Sequence, residues 1–158
     1  KKSLGGGAIF TMSHEIDLAI YLFGSIKYLN VKTKKNKLKI NVEDNAEIFL
    51  KHTSGSESKI YLDFSSKKLI RSFRIKNEKS IIFWDFYKDK IKFKNKFIKF
   101  KFINNNIYLK EINDTVKKIK EKKYKYSKIH IDKILHTQEV IMACYKSLKF
   151  NKKVILKN

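Results

Sequence analysis

The 158-residue chain has no proline, one cysteine and five glycines, and its 15 acidic residues face 37 basic ones of which only two are arginines. Each scarcity excludes something. A single cysteine, Cys144, cannot close a disulfide within the chain, which removes small stapled scaffolds and fits a reducing, cytoplasmic compartment. No apolar run approaches the ~18–20 residues that a membrane-spanning helix needs, so no membrane partner is expected. The start, Lys1-Lys2-Ser3-Leu4, carries neither the basic nor the apolar region of a secretory signal and reads as the edge of a fragment. Apolar residues make up 42 % of the chain and aromatic ones 13 %, well above the level at which charge-rich chains stay unfolded. A compact fold of this length buries roughly 68–70 % of the surface its unfolded chain exposes, enough for a core. One domain over residues 1–158 is therefore expected.

The shortage of arginine also decides how the net charge of +22 is read. A charge of that size points first at a polyanion. Yet 35 of the 37 basic residues are lysines, whereas phosphate and base-edge recognition favour the guanidinium fork. The lysines run along the whole chain amid many Ile and Asn, a mixture that A/T-rich codons supply. Composition explains the charge, and no nucleic-acid partner is expected.

Gly5-Gly6-Gly7 opens a helical segment predicted from about Ala8 to Phe23, with Gly24 in the C-cap position. At ~100° per residue, Ile9, Met12, Ile16, Ala19, Ile20 and Phe23 form the core stripe, and Phe10, His14, Asp17 and Tyr21 lie opposite. From Ile26 to about Ile103 the pattern turns to short alternating segments, among them Ala46 to Leu50, Ile60 to Phe64 and Ile81 to Phe86. The connectors His52 to Glu57, Lys76 to Lys79 and Tyr87 to Lys90 are short enough for hairpins, so the strands pair largely antiparallel. Several strands are apolar on both faces. Two helices follow, from about Ile107 to Glu121 and Ile129 to Lys149, and Val154-Ile155-Leu156 reads as a closing strand. The fold class is α+β: an open-faced, largely antiparallel sheet with helices packed on one face.

Few residues offer chemistry. The glycine triplet lacks the G-x-G-x-x-G spacing and any Walker Lys-Ser/Thr, so it supports no phosphate cradle. His14 and Asp17 stand three apart on one helical face, where an imidazole serves proton transfer near pH 7 and a carboxylate can orient it. Spacing alone leaves open a surface histidine beside a solvated aspartate. Asp132, His136 and Glu139 read as a solvated helix face; no metal is expected. Cys144, in an apolar helix, reads as a buried small side chain, and the stripe Phe83, Trp84, Phe86, Tyr87 as core.

From Gly5 through His14, Glu15, Ile16 and Asp17 to Phe23-Gly24, the sequence resembles the Gfo/Idh/MocA oxidoreductases, the glucose-fructose oxidoreductase and inositol dehydrogenase family, at the start of their C-terminal domain. There a Gly-rich turn leads into a helix carrying H-x-x-D. Val42-Glu43-Asp44-Asn45-Ala46 is similar to the acidic start of a strand in that family, Ile81 to Asp85 to a later core strand, and Tyr108 to Ile119 with His136 to Leu156 to its final helices and closing strand.

The resemblance implies a two-domain enzyme whose Rossmann domain, absent from this chain, binds NAD or NADP and supplies a catalytic lysine. This chain would be the substrate-binding and oligomerising domain of a dehydrogenase that oxidises or reduces a sugar, sugar-derivative or cyclitol hydroxyl or carbonyl. It would be inactive alone and would assemble into a homo-oligomer through the open sheet. The resemblance makes His14 the catalytic residue, puts Thr11 and Asp17 at the substrate and brings Gly5, Gly6 and Gly7 near substrate and nicotinamide. Many relatives carry an acid three or four residues before the histidine, where this chain has Thr11 and Phe10. That departure sustains the alternative of a non-catalytic sugar-binding or scaffold module.

Overall fold

The computed structural model describes residues 6–94, 96–99, 106–121 and 128–156; Gly5 and the last residues of the expected strand block, 100–103, lie outside them. Two short helices, α1 (Ala8–Thr11) and α2 (Ser13–Phe23), lead into strands β1 (Ile26–Lys32), β2 (Asn45–His52) and β3 (Glu57–Asp63). Strands β4 (Ser72–Lys76), β5 (Ile81–Asp85), β6 (Lys90–Phe93) and β7 (Lys96–Lys99) come next, then helices α3 (Asn106–Lys120) and α4 (Lys128–Phe150) and a last strand β8 (Val154–Ile155). All strand pairs among the described residues are antiparallel, in two four-stranded sheets ordered β3-β2-β1-β8 and β4-β5-β6-β7. The chain divides into two compact units, Lys1–Ser66 with Tyr126–Asn158, and Lys67–Lys125.

In the first unit the alternation of each strand sorts its residues onto two faces. Leu29 and Val31 of β1, Ile48 and Leu50 of β2 and Leu62 of β3 join Ile9, Ile16 and Ile20 from the first helices and Val140, Ile141 and Cys144 from α4 in one buried cluster. Helices thus cover one face of this sheet. The other carries Tyr28, Phe49, Tyr61 and Ile155 among lysines, with the Tyr28 and Phe49 rings 6.2 Å apart. A bulge at Lys27 shifts the register so that Ile26 and Leu29, three apart, both turn inward. Each such fully buried Ile or Leu contributes about 1.5–3 kcal/mol.

Two expectations change here. The helix predicted over Ala8 to Phe23 is interrupted at Met12, whose φ of −102° and ψ of 27° leave the helical region. Ile9 and Ile16 stay on the buried side across the break, so the apolar period conceals it. His136, read as part of a solvated face, is largely covered, because α4 packs against the end of α2 and the start of β1.

The second unit is built differently. Phe73 and Trp84 pair across β4 and β5 at 4.8 Å, and Trp84 meets Phe86 at 5.5 Å. No residue of this unit is fully buried among those described. The aromatic stripe read as core is therefore corrected: Phe83 lies on the opposite face from Trp84, as strand alternation requires, and Tyr87 is exposed. Helix α3 presents Leu109, Ile112, Val116 and Ile119 along one side, all exposed. Among the described residues no helix is long and apolar enough to cross a membrane.

Candidate functional site

The glycine turn comes first because it aims everything after it. Gly7 has φ +132°, a conformation that only glycine adopts readily, and a Cβ there would lie 2.6 Å from Cδ of Glu43. Glu43 grips the turn by backbone and side chain together. Its carbonyl accepts the Ala8 N–H at 2.9 Å and its Oε1 accepts the Ile9 N–H at 3.2 Å, so two of the first free amides of α1 are satisfied by one residue 34 positions away. A carboxylate there also complements the positive end of the helix. From α4, Tyr145 donates its hydroxyl to the same Oε1 at 3.1 Å. Burial, and then the Glu43 charge, push the Tyr145 phenol up to about 12.

The neighbouring Asp44 is fully buried and does a parallel job for the loop before β2. Its Oδ2 accepts the N–H groups of Lys37 and Leu38 at 2.7 and 2.8 Å, and its Oδ1 the Asn45 amide at 2.6 Å. The Leu38 amide, helped by Asn45 and Lys37, holds its carboxyl below the usual range against the opposing effect of burial.

His14 stands one residue into α2, exposed, with Nε2 3.1 Å from Oε1 of Glu15. Asp17 does not meet it: Asp17 Oδ1 accepts the Thr137 hydroxyl of α4 at 2.9 Å. Thr11 is exposed at the end of α1, and its amide closes the first helical turn on the Gly7 carbonyl at 3.0 Å. Of the residues singled out in the sequence, Gly6, Gly7, Thr11 and His14 thus follow one another along the turn and the two helices. Asp17 instead ties α2 to α4.

The far end of α2 is fastened by two histidines. His52 on β2, fully buried, sits 2.7 Å from the Gly24 carbonyl through Nδ1 and 2.8 Å from the Ser58 hydroxyl through Nε2. A carbonyl only accepts, so Nδ1 carries the proton and Nε2 takes the Ser58 hydroxyl. Burial pushes this imidazole below its ordinary value, only partly offset by the Gly24 bond. His136 Nε2 accepts the Ile26 N–H at 3.0 Å, which leaves the proton of its neutral ring on Nδ1, 3.5 Å from Glu139. Among the described residues no three His, Cys, Asp or Glu side chains gather as a metal ion would need. Cys144 is buried, its thiol pushed up to about 12 by desolvation, as befits an inert core side chain.

Sequence reasoning missed Glu43, Tyr145, His52 and Thr137 as parts of this frame. Only Glu43 left a trace, in the acidic pair Glu43-Asp44 ahead of an apolar strand. The others are fixed by contacts across 28 to 120 positions that no local pattern carries.

No curated protein matches the sequence. Solved structures do match in fold. The levoglucosan dehydrogenase complex with NADH and levoglucosan aligns over 98 % of this chain and 51 % of its own, at 16 % identity and a TM-score of 0.78. An NAD-binding oxidoreductase from Klebsiella pneumoniae aligns over 100 % and 53 %, at 13 % and 0.79. The WlbA dehydrogenase from Bordetella pertussis, in complex with NADH and UDP-GlcNAcA, aligns over 97 % and 49 %, at 17 % and 0.63. This chain spans about half the length of each of them. Residues 1–82, which hold the glycine turn, both first helices and three of the four strands of the sheet they pack on, match the family described as GFO/IDH/MocA C-terminal domain, and the chain belongs to that family.

Proposed function

We propose that residues 1–158 form the substrate-binding and oligomerising domain of an NAD(P)-dependent oxidoreductase acting on a hydroxyl or carbonyl of a sugar, sugar derivative or cyclitol. The observation that carries this reading is the placement of His14. It stands exposed directly after a turn that Glu43 and Tyr145 hold from behind. Similarity to dehydrogenases solved with levoglucosan and with UDP-GlcNAcA supports the substrate class.

The chain has no dinucleotide-binding turn of its own, so the cofactor would rest mainly on a domain outside it. Gly6 and Gly7 fit a surface approached by a flat ring, since Gly7 presents no side chain and Glu43 fills the space behind it. When bound, the nicotinamide would exchange the hydride. The His14 imidazole would take or return the proton of the reacting hydroxyl, while Thr11 offers a hydrogen bond beside it and Asp17 secures α2 through Thr137. The open face with Tyr28, Phe49 and Tyr61 is the surface for self-assembly.

Turnover tests the reading. A protein carrying this chain together with its dinucleotide-binding domain should reduce NAD or NADP with a member of a sugar and cyclitol panel. His14→Ala should then lower kcat by about 10²–10⁴-fold while leaving the urea midpoint in place. Unchanged turnover removes His14 from the chemistry. NADH binding without turnover on any panel member favours the non-catalytic module that Thr11, lacking a charge, keeps in view.

A further inference from the structure

The second unit holds a cavity of about 780 Å³ on one face of its sheet, well within the range of small-molecule sites. The pairing register explains its lining. Arg74, Phe83, Lys92 and Phe97 form one row across β4, β5, β6 and β7, and Lys76 pairs with Ile81 in the next. Strands lie ~4.8 Å apart, so Arg74 and Lys92 flank the Phe83 ring at roughly that spacing on either side. The Arg74 guanidinium sits 6.0 Å from the Phe83 centroid. Phe83 and Ile81 give the floor an apolar, partly aromatic strip, and Lys79 and Lys94 close the cationic rim.

Two features separate this cavity from a stretch of ordinary lysine-rich surface. The first is uncompensated charge: no ion pair joins Arg74, Lys76, Lys79, Lys92 or Lys94 to a carboxylate among the described residues, and Glu78 is the one acid in the lining. The second is a built wall. Asn77 Oδ1 accepts the Lys79 N–H at 3.0 Å, the Ser80 N–H at 2.7 Å and the Ser80 hydroxyl at 3.0 Å, and the Asn77 N–H reaches the Ser80 carbonyl at 3.1 Å. The β4–β5 turn that bears Lys79 is therefore fixed before any ligand arrives. One of the chain's two arginines is spent here, beside an aromatic ring, the pairing that both stacks on flat rings and grips phosphate.

We propose that this cavity binds a nucleoside di- or triphosphate, with the base against Phe83 and Arg74 and the phosphates among Lys76, Lys92 and Lys94. The site is built entirely from residues of the second unit and does not depend on the activity proposed above. Calorimetric titration of the 158-residue chain at ~150 mM salt, where surface fields are screened beyond ~8 Å, is the test. UDP should bind saturably with one site per chain, and more tightly than inorganic pyrophosphate because the base adds stacking. Arg74→Glu and Lys92→Glu should each weaken UDP about tenfold or more, and Phe83→Leu should weaken UDP but leave pyrophosphate unchanged. Lys117→Glu, on α3 and outside the cavity lining, is the control for bulk charge and should change nothing, with circular dichroism confirming that every variant folds. Absence of saturation, equal affinity for pyrophosphate and UDP, or an equal loss in Lys117→Glu each overturns the proposal.

Discussion

The Tyr145 hydroxyl and the Ile9 amide converge on one oxygen, Glu43 Oε1, from 3.1 and 3.2 Å. A residue near the C-terminus, one before a strand and the first helix are thereby joined at a single atom. Tyr145→Phe keeps the ring and removes the donor. Because hydrogen bonds to charged groups contribute about 1.5–3 kcal/mol, the variant should lose about that much stability, seen as a lower urea midpoint at unchanged slope.

The same phenol predicts an alkaline limb. Its value of about 12 in the folded chain lies above the ordinary 10.0, so between those values the unfolded chain has released a proton that the folded one keeps. Folding stability should fall as pH rises from 10 towards 12, and Tyr145→Phe should flatten that fall.

Gly7 and Gly55 offer a matched comparison. Both have positive φ, +132° and +88°, but a Cβ on Gly55 meets nothing within 4 Å whereas on Gly7 it runs into the Glu43 carboxylate. Gly55→Ala should cost about 1 kcal/mol, the backbone strain alone, and Gly7→Ala about 3 kcal/mol or more. Introducing Gly7→Ala into a Glu43→Ala background should recover the steric part of the loss and leave the strain, a coupling that a double-mutant cycle measures.

Acid should act through His52. Burial lowers the His52 imidazole from its ordinary 6.5, so as pH falls through 6.5 the unfolded chain takes up a proton that the folded one refuses. The stability contributed by neutral His52 is complete above that pH and is lost on acidification below it. Urea midpoints measured between pH 8 and 5 should fall, and His52→Asn should flatten part of the fall.

Ser147 supplies a fifth test. Fully buried, its hydroxyl oxygen accepts the Val31 N–H at 3.0 Å while donating to the Lys152 carbonyl at 2.7 Å. Ser147→Ala leaves a buried strand amide without a partner and should cost about 1–3 kcal/mol by denaturant unfolding.

What could be read locally was read well. The glycine before His14, the three hairpin connectors, the closing strand and the buried Ile9, Ile16, Ala19 and Ile20 of the core stripe all depend on residues near one another in sequence, while Met12 and Phe23 of that stripe are only partly buried. The break at Met12 escaped because Ile9 and Ile16 remain in phase across it. His136 was misjudged because its charged neighbours, Lys133 and Glu139, describe the exposed flank of α4, while its partner Ile26 lies 110 positions away. Asp17 was paired with His14 by spacing, yet Thr137 takes its carboxylate, an arrangement set by how α2 meets α4. The division of strands into two sheets is likewise a matter of tertiary pairing, which alternation does not encode.

All fully buried side chains found among the described residues belong to the unit formed by Lys1–Ser66 and Tyr126–Asn158. The four strands from Ser72 to Lys99 close their ladders without one sealed position among those described. Cooperativity in this molecule is consequently unequal: the strands β4 to β7 form a subglobal unit that can open at a free energy below that of the whole, while the frame around Glu43 stays closed. Amide exchange would thus leave the helix bearing His14 protected after the second sheet has already traded its protons with solvent.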